Sequence, residues 1–372
     1  MGSRFVIDRS KDVIVVGGGQ AALAVGFYLR RSGLDYVILD DQPSAGGAWR
    51  RGWKSLRAFS PAQWSSLPGW LMPPPVDGSD YPSRSDVVEY LGHYESRYGL
   101  NIVRSERVLS VERNEAPSHP LRVKTVAGEW VARAVISATG GEPFIPDVPG
   151  RSDFRGIQLH SLEYSSPAAF AGKRVIVVGG GNSGAQIVAE LTEPESGVAH
   201  VTWSTLQPPS FLPDEIDGRY LFEQATERYR AEKEGRAPGP PRNLGDVVMV
   251  QSVRAARDRG TLNAVRMFER LDSSGAHWPD GTHTKEDVII WATGFRPSLS
   301  HLDNLGAVNA AGRIEVAGAA GTRSVSEPRL WLVGYGNWTG YASATLIGVG
   351  RSARATVQEI QDALKSVQPH TM

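Results

Sequence analysis

The sequence predicts an α/β protein of two nested Rossmann-like domains, and three observations carry that prediction. A run of branched apolar residues, three glycines and a helical pattern occurs twice, as DVIVVGGGQAALAVGFYL from Asp12 and as RVIVVGGGNSGAQIVAEL from Arg174. Each copy is closed far downstream by an apolar strand ending in Ala-Thr-Gly, the first at Ala138, Thr139 and Gly140, the second at Ala292, Thr293 and Gly294. The length of 372 residues exceeds what one hydrophobic core of about 250–300 residues accommodates.

In chain order, the first repeat reads as strand, tight turn and helix. Gly17 permits the turn, Gly19 lets the backbone approach a pyrophosphate, and Gln20 and Ala21 open a helix whose N-terminus offers aligned N–H donors. Asp40 ends the next strand, where an acid that accepts from a ribose hydroxyl is expected. Between Gly46 and Trp70 the chain is dense in Trp, Pro, Gly and Ser and reads as irregular structure. Gly179, Gly181, Asn182, Ser183 and Gly184 form the second fingerprint, so two dinucleotides are implied. The strand after it ends at Ser204 and Thr205 without a carboxylate, which favours NADPH and leaves NADH open. Arg230, Arg236 and Arg242 are the candidates to meet a 2′-phosphate. Leu221 to Arg236 reads as a solvated helix, followed at Ala237 to Pro241 by a breaker cluster and candidate lid. The last apolar strand, Leu330 to Val333, leads through Gly334 to a helix expected from Ala342.

Composition narrows the function. Lys plus Arg and Asp plus Glu are each 40, so there is no electrostatic footprint for nucleic acid or an anionic membrane, and small molecules are the expected partners. The absence of Cys excludes a disulfide, a thiolate metal site and a redox dithiol. The eight His show no metal-ligand spacing, so no metal is expected. No run approaches the ~20 apolar residues of a membrane span, and the first strand begins too early for a signal peptide. The reading is cytoplasmic, with a homodimer the one oligomer considered.

The order of motifs then resembles a family. Asp40, the Gly46-Gly47-Ala48-Trp49 element, the first Ala-Thr-Gly, the FRGIQLHS element from Phe154 to Ser161 and the second fingerprint together resemble a class B flavin-dependent monooxygenase. The likeness is strongest to the short bacterial group found near arsenic and metal resistance genes, through PPSFLPD from Pro208 and GYGNWTG from Gly334. The resemblance implies a glutathione-reductase-like FAD domain, residues 1–152 and 286–372, with an inserted NAD(P)H domain at 153–285. It places Gly47, Ala48, Trp49, Val108, Gly334, Trp338, Ser343 and Ala344 with the flavin. It also turns the positive end of the last helix toward the flavin's pyrimidine edge. NADPH would reduce FAD, dioxygen would form a flavin C4a-hydroperoxide, and one oxygen atom would pass to a substrate. His160-Ser161-x-x-Tyr164 is similar to the heteroatom-oxidising branch, which puts sulfur or nitrogen oxidation ahead of ketone oxygenation. His160 and Ser60, the latter where the family carries an Asn, are the catalytic candidates. An NAD(P)H oxidase or reductase without oxygen transfer, and a non-catalytic FAD/NADP-binding protein, stay open as alternatives.

Overall fold

The computed structural model describes residues 9–114, 119–216, 218–236 and 246–366. β1 (Ser10–Val16) is buried from Val13 to Val16, as a central parallel strand must be. α1 (Gln20–Leu29) and β2 (Tyr36–Leu39) follow. The Trp- and Pro-rich crossover ends at α2 (Arg84–Tyr98), which starts in a Ser83–Asp86 capping box and stops at Gly99 in the left-handed region. β3 (Ile102–Val103), β4 (Val108–Glu112), β5 (Leu121–Thr125) and β6 (Gly128–Ser137) complete the first passage.

Short β7 (Gly141–Pro143) leads out to β8 (Ile157–His160), β9 (Arg174–Val178), α3 (Asn182–Leu191) and β10 (His200–Thr205). After α4 (Gly218–Lys233) and α5 (Gln251–Asp258) come β11 (Ala264–Arg266) and the small antiparallel set β12 (Arg270–Leu271), β13 (Gly275–His277) and β14 (His283–Lys285). β15 (Val288–Trp291) and β16 (Phe295–Pro297) carry the chain back to β17 (Val316–Ala317), β18 (Arg323–Ser324), β19 (Leu330–Leu332) and α6 (Val349–Lys365).

Among the described residues one sheet runs β17-β18-β19-β6-β1-β2-β3, with β5 and then β4 extending antiparallel from β6, and a second runs β11-β10-β9-β15-β8. The α/β class of two parallel sheets is therefore as predicted. The strands around the two glycine loops match residue for residue. Val16 faces Leu39 and Ser137, as Val178 faces Ser204 and Trp291; Leu39 faces Val103, as Ser204 faces Val265. β7 and β16, which leave the two Ala-Thr-Gly turns, pair antiparallel with each other, so the two crossings form one ribbon.

Two expectations shift. The return to the first sheet comes after Trp291 and not at 286, because β15 pairs with β8 and β9 and buries Val288 and Ile290 beside Val175, Val177 and Leu159. The last helix begins at Val349 and not at Ala342. Ala342 sits at φ 55°, which a right-handed helix cannot contain, and Gly348 packs so closely on its carbonyl that a Cβ there would collide. The candidate lid at 237–241 lies outside the described residues. Among those residues no helix is long and apolar enough to cross a membrane.

Candidate functional site

The first glycine loop is shaped by contact with its neighbours. Gly17 has φ +104°, and a Cβ on it would lie 2.6 Å from the Ala138 carbonyl oxygen, so the turn and the Ala-Thr-Gly strand end press together. Gly19 caps α1 with no side-chain partner, no acid stands in the first turn, and a Cβ on Gly19 would meet open space. The orphan N–H groups of α1 are thus left for ligand oxygens. Asp40 is buried and accepts from the Gly18 N–H at 3.1 Å and from Arg104, which also pairs with Glu95. Burial pushes the Asp40 carboxyl up from its ordinary value, against the pull of Arg104. Arg104 was missed in the sequence because only strand register brings it to Asp40.

The Gly-Gly-x-Trp element folds onto this loop. Gly47 comes so near that a Cβ on it would lie 2.8 Å from Gly19 Cα. Trp49 donates from Nε1 to Gln20 Oε1 at 3.0 Å, and Gln20 Nε2 donates to the Ala344 carbonyl at 2.6 Å. Gly334 packs on Ala21, where a Cβ would meet the alanine methyl at 2.6 Å. Gln20, Ala21, Gly47, Ala48, Trp49, Gly334 and Ala344 are thereby gathered around the start of α1. Ser343 is fully buried and spends its hydroxyl on the Gly336 carbonyl at 2.7 Å. Trp338 donates to the Ile314 carbonyl at 3.0 Å and packs with Tyr335 against the core on the other side of the sheet, away from Trp49. Val108 starts β4, two residues beyond Glu106, whose N–H donates to the Asp40 carbonyl.

The second loop repeats the first. Gly179 has φ +128° and abuts the Ala292 carbonyl; Gly184 abuts the Gly179 carbonyl, so neither position has room for a side chain. Gly181 caps α3 with no side-chain partner and no acid in the first turn. Asn182 is structural, its amide bonded to the Asp246 carbonyl and the Val248 N–H at 3.0 and 2.9 Å. Ser204 is wholly buried with its Oγ unpartnered among the described residues, whereas the Thr205 methyl lies 3.4 Å from where a Cβ of Gly180 would stand. Thr205 is the residue turned toward the loop.

At the two strand ends Thr139 donates to the Ser298 carbonyl at 2.6 Å, Thr293 donates to the Phe144 carbonyl, and Gly140 and Gly294 adopt φ of +68° and +77°. His160 binds to this junction. Its Nδ1 accepts from the Leu162 N–H at 3.1 Å, so Nε2 carries the proton and donates to the Gly294 carbonyl at 2.9 Å. Burial holds the imidazole below its ordinary pKa, in the neutral state both bonds require. Both ring nitrogens are committed, which makes His160 a clamp between β8 and the second Ala-Thr-Gly.

Between the loops lies an apolar cleft of about 170 Å³, lined by Ala48, Trp49, Gly52, Trp53, Leu56, Ser161, Leu162, Ser183 and Phe295. Tyr164, whose hydroxyl donates to Glu190 at 2.9 Å, packs edge-on against Trp53 behind the wall. Ser60 is not at the cleft: its Oγ shares a 2.8 Å hydrogen bond with Ser65, and Gly218 covers it. Trp53 is one of the aromatics the sequence offers as a pocket wall, whereas Ser161, Leu162 and Phe295 were not singled out as cleft residues. Away from the cleft, Asp272, His277 and His283 bring ligand atoms within 4.8 Å of one another. Arg270 donates to His277 Nδ1, leaving Nε2–H directed at Asp272, and His283 Nε2 lies 3.2 Å from the same carboxylate oxygen.

Two strand-turn-helix cradles joined by such a cleft define a two-dinucleotide oxidoreductase. The chain belongs to the pyridine nucleotide-disulphide oxidoreductase family, whose sequence model matches residues 14–210, and within it to the flavin-containing monooxygenases and CzcO-like oxidoreductases. It is 48% identical to a flavin-containing monooxygenase from Stenotrophomonas maltophilia, superposing with a TM-score of 0.85 over 96% of this chain and 100% of that one. An uncharacterized CzcO oxidoreductase of Bacillus velezensis is 30% identical over 94% of this chain and 99% of its own length. Indole-3-pyruvate monooxygenase YUCCA1 of rice is 27% identical over 93% and 90%. The family works with flavin and nicotinamide cofactors, and both glycine cradles fit such groups. Without Cys, this chain has no dithiol for disulfide chemistry.

Proposed function

We propose that the first glycine loop holds FAD, the second holds NADPH, and the chain transfers one oxygen atom from dioxygen to a small sulfur or nitrogen nucleophile at the cleft between them. The observation that carries this reading is the cleft itself. Trp49 on one wall is tied to Gln20 of the first loop, and Ser183 on the other belongs to the second loop. A bound flavin supplies the oxygen activation, with electrons taken from the nicotinamide. The chain's own residues bind, orient and exclude water: the helix N-termini receive the diphosphates, and the tryptophan and leucine walls keep the cleft dry. Among the described residues no acid or base lines it, which suits a soft nucleophile that attacks without losing a proton first.

A second reading, an NADPH oxidase that releases hydrogen peroxide, is favoured by Ser60, whose hydroxyl is turned into the Ser65 turn and is not presented to the cleft. One measurement separates the two. With an aryl methyl sulfide, NADPH oxidation, oxygen uptake and sulfoxide should rise one to one, and a cyclic ketone should give no lactone. Full recovery of the oxygen as peroxide establishes the oxidase, and lactone formation overturns the heteroatom assignment.

A further inference from the structure

We infer that Arg266 is the residue that recognises the 2′-phosphate of the nicotinamide cofactor, an assignment resting on the second glycine loop being the nicotinamide site. The internal repeat identifies it. Gly17 N–H donates to the Leu39 carbonyl at 2.8 Å and Gly179 N–H to the Ser204 carbonyl at 2.9 Å, so the residues after them, Asp40 and Thr205, are equivalent. One strand further out, Leu39 faces Val103 and Ser204 faces Val265, which makes Arg104 and Arg266 equivalent in turn. Both halves therefore carry an arginine beside the position that meets the cofactor ribose.

The two arginines differ in what holds them. Arg104 is clamped between Asp40 and Glu95. At the second loop the acid is replaced by Thr205, and Arg266 is exposed and makes no hydrogen bond or ion pair among the described residues. Thr205 and Arg266 are paired in register on adjacent parallel strands, so their side chains leave the sheet on one face. That face is the glycine-loop face, because the Thr205 methyl abuts Gly180. Other cations of this domain are already committed: Arg236 to Glu227 and Glu234, Arg257 to Asp214 and Asp258, Arg259 to Glu193. A free guanidinium is a fork for two phosphate oxygens, and an unpaired one gives up no existing ion pair when it binds. Losing the acid thus does two things at one place: it removes repulsion and frees its partner.

The test is calorimetric binding of NADP⁺ and of NAD⁺ to the flavin-loaded protein, wild type, Arg266→Gln and Arg266→Lys, with flavin absorbance confirming that each variant is folded and loaded. Wild type should prefer NADP⁺. Arg266→Gln should weaken NADP⁺ by about tenfold to a hundredfold and leave NAD⁺ within about twofold, with Arg266→Lys between the two. If wild type prefers NADP⁺ and Arg266→Gln keeps that preference, the assignment to Arg266 is overturned while the nicotinamide reading stands. If wild type binds both nucleotides equally, or neither, the NADPH reading fails and the assignment falls with it.

Discussion

The two glycine loops share a turn, a helix cap, a strand order and a register, yet the side chains beside them carry opposite charge. At the first, Asp40 faces the loop with Arg104 behind it and Glu95 behind that, a chain of alternating sign with one net negative charge. At the second, Thr205 faces the loop and Arg266 stands unpaired among the described residues. The backbone geometry is common to both loops, and on the proposed reading one side chain at the end of the second strand sets which dinucleotide each takes. The comparison also corrects the sequence reading at Ser204, which faces the core and has no access to a ligand.

The largest effects should come from the turns the loops share. Gly17→Ala forces a side chain into φ +104° and against the Ala138 carbonyl, a cost of roughly 2–4 kcal/mol, and should yield protein without yellow colour. Gly179→Ala should stay yellow and fail to bind nucleotide; loss of flavin in both variants would show that the loops are not separable. Next, Ser204→Glu places a carboxylate without a partner in a fully buried site and should lower stability by about 3 kcal/mol or more in urea titration, whereas Thr205→Asp, also at a buried position, has Arg266 in register beside it and should cost less.

Exchanging the side chains sharpens the contrast further. Asp40→Asn should weaken FAD by about tenfold to a hundredfold, read as flavin fluorescence released on dilution. Thr205→Asp recreates the acid–arginine pair and should cut the NADP⁺ over NAD⁺ preference by about tenfold. A preference unchanged in Thr205→Asp would break the equivalence of the two strand ends.

The smallest effect concerns the junction. His160 is neutral in the fold, with its pKa below the ordinary 6.5, and burial takes His301 down to about 4. A depressed histidine contributes stability that is complete above the unfolded pKa and is lost as pH falls through the folded value. The melting temperature should therefore decline from about pH 6.5 toward 4. His160→Gln should cost about 1 kcal/mol at pH 7.5 and flatten part of that decline, and an identical pH profile would remove His160 from the account.

Much of this architecture was legible in one dimension. Runs such as Val13 to Val16 and Val175 to Val178, followed by three glycines, announce a buried parallel strand and a phosphate-binding turn, because local sterics leave few other uses for that pattern. The Ala-Thr-Gly strand ends were found the same way, and so was Asp40. The end of the insertion was not, because β15 looks like any apolar strand and only its hydrogen bonds to β8 and β9 say which sheet it joins. Ala342 to Gly348 has a helical composition that a single left-handed residue overrides.

Side-chain direction is where the sequence by itself stops. It determined that two dinucleotide cradles exist and that the second lacks an acid, since both follow from residue type and spacing along one strand-turn-helix unit. Tertiary structure alone decided that Ser60 faces Ser65, that His160 spends both nitrogens on a clamp, and that Arg104 and Arg266 stand beside Asp40 and Thr205. Arg104 lies 64 residues from Asp40 and Arg266 lies 61 from Thr205. Contacts over such separations depend on strand order and register, which are fixed by burying the whole sheet and leave no mark at either residue.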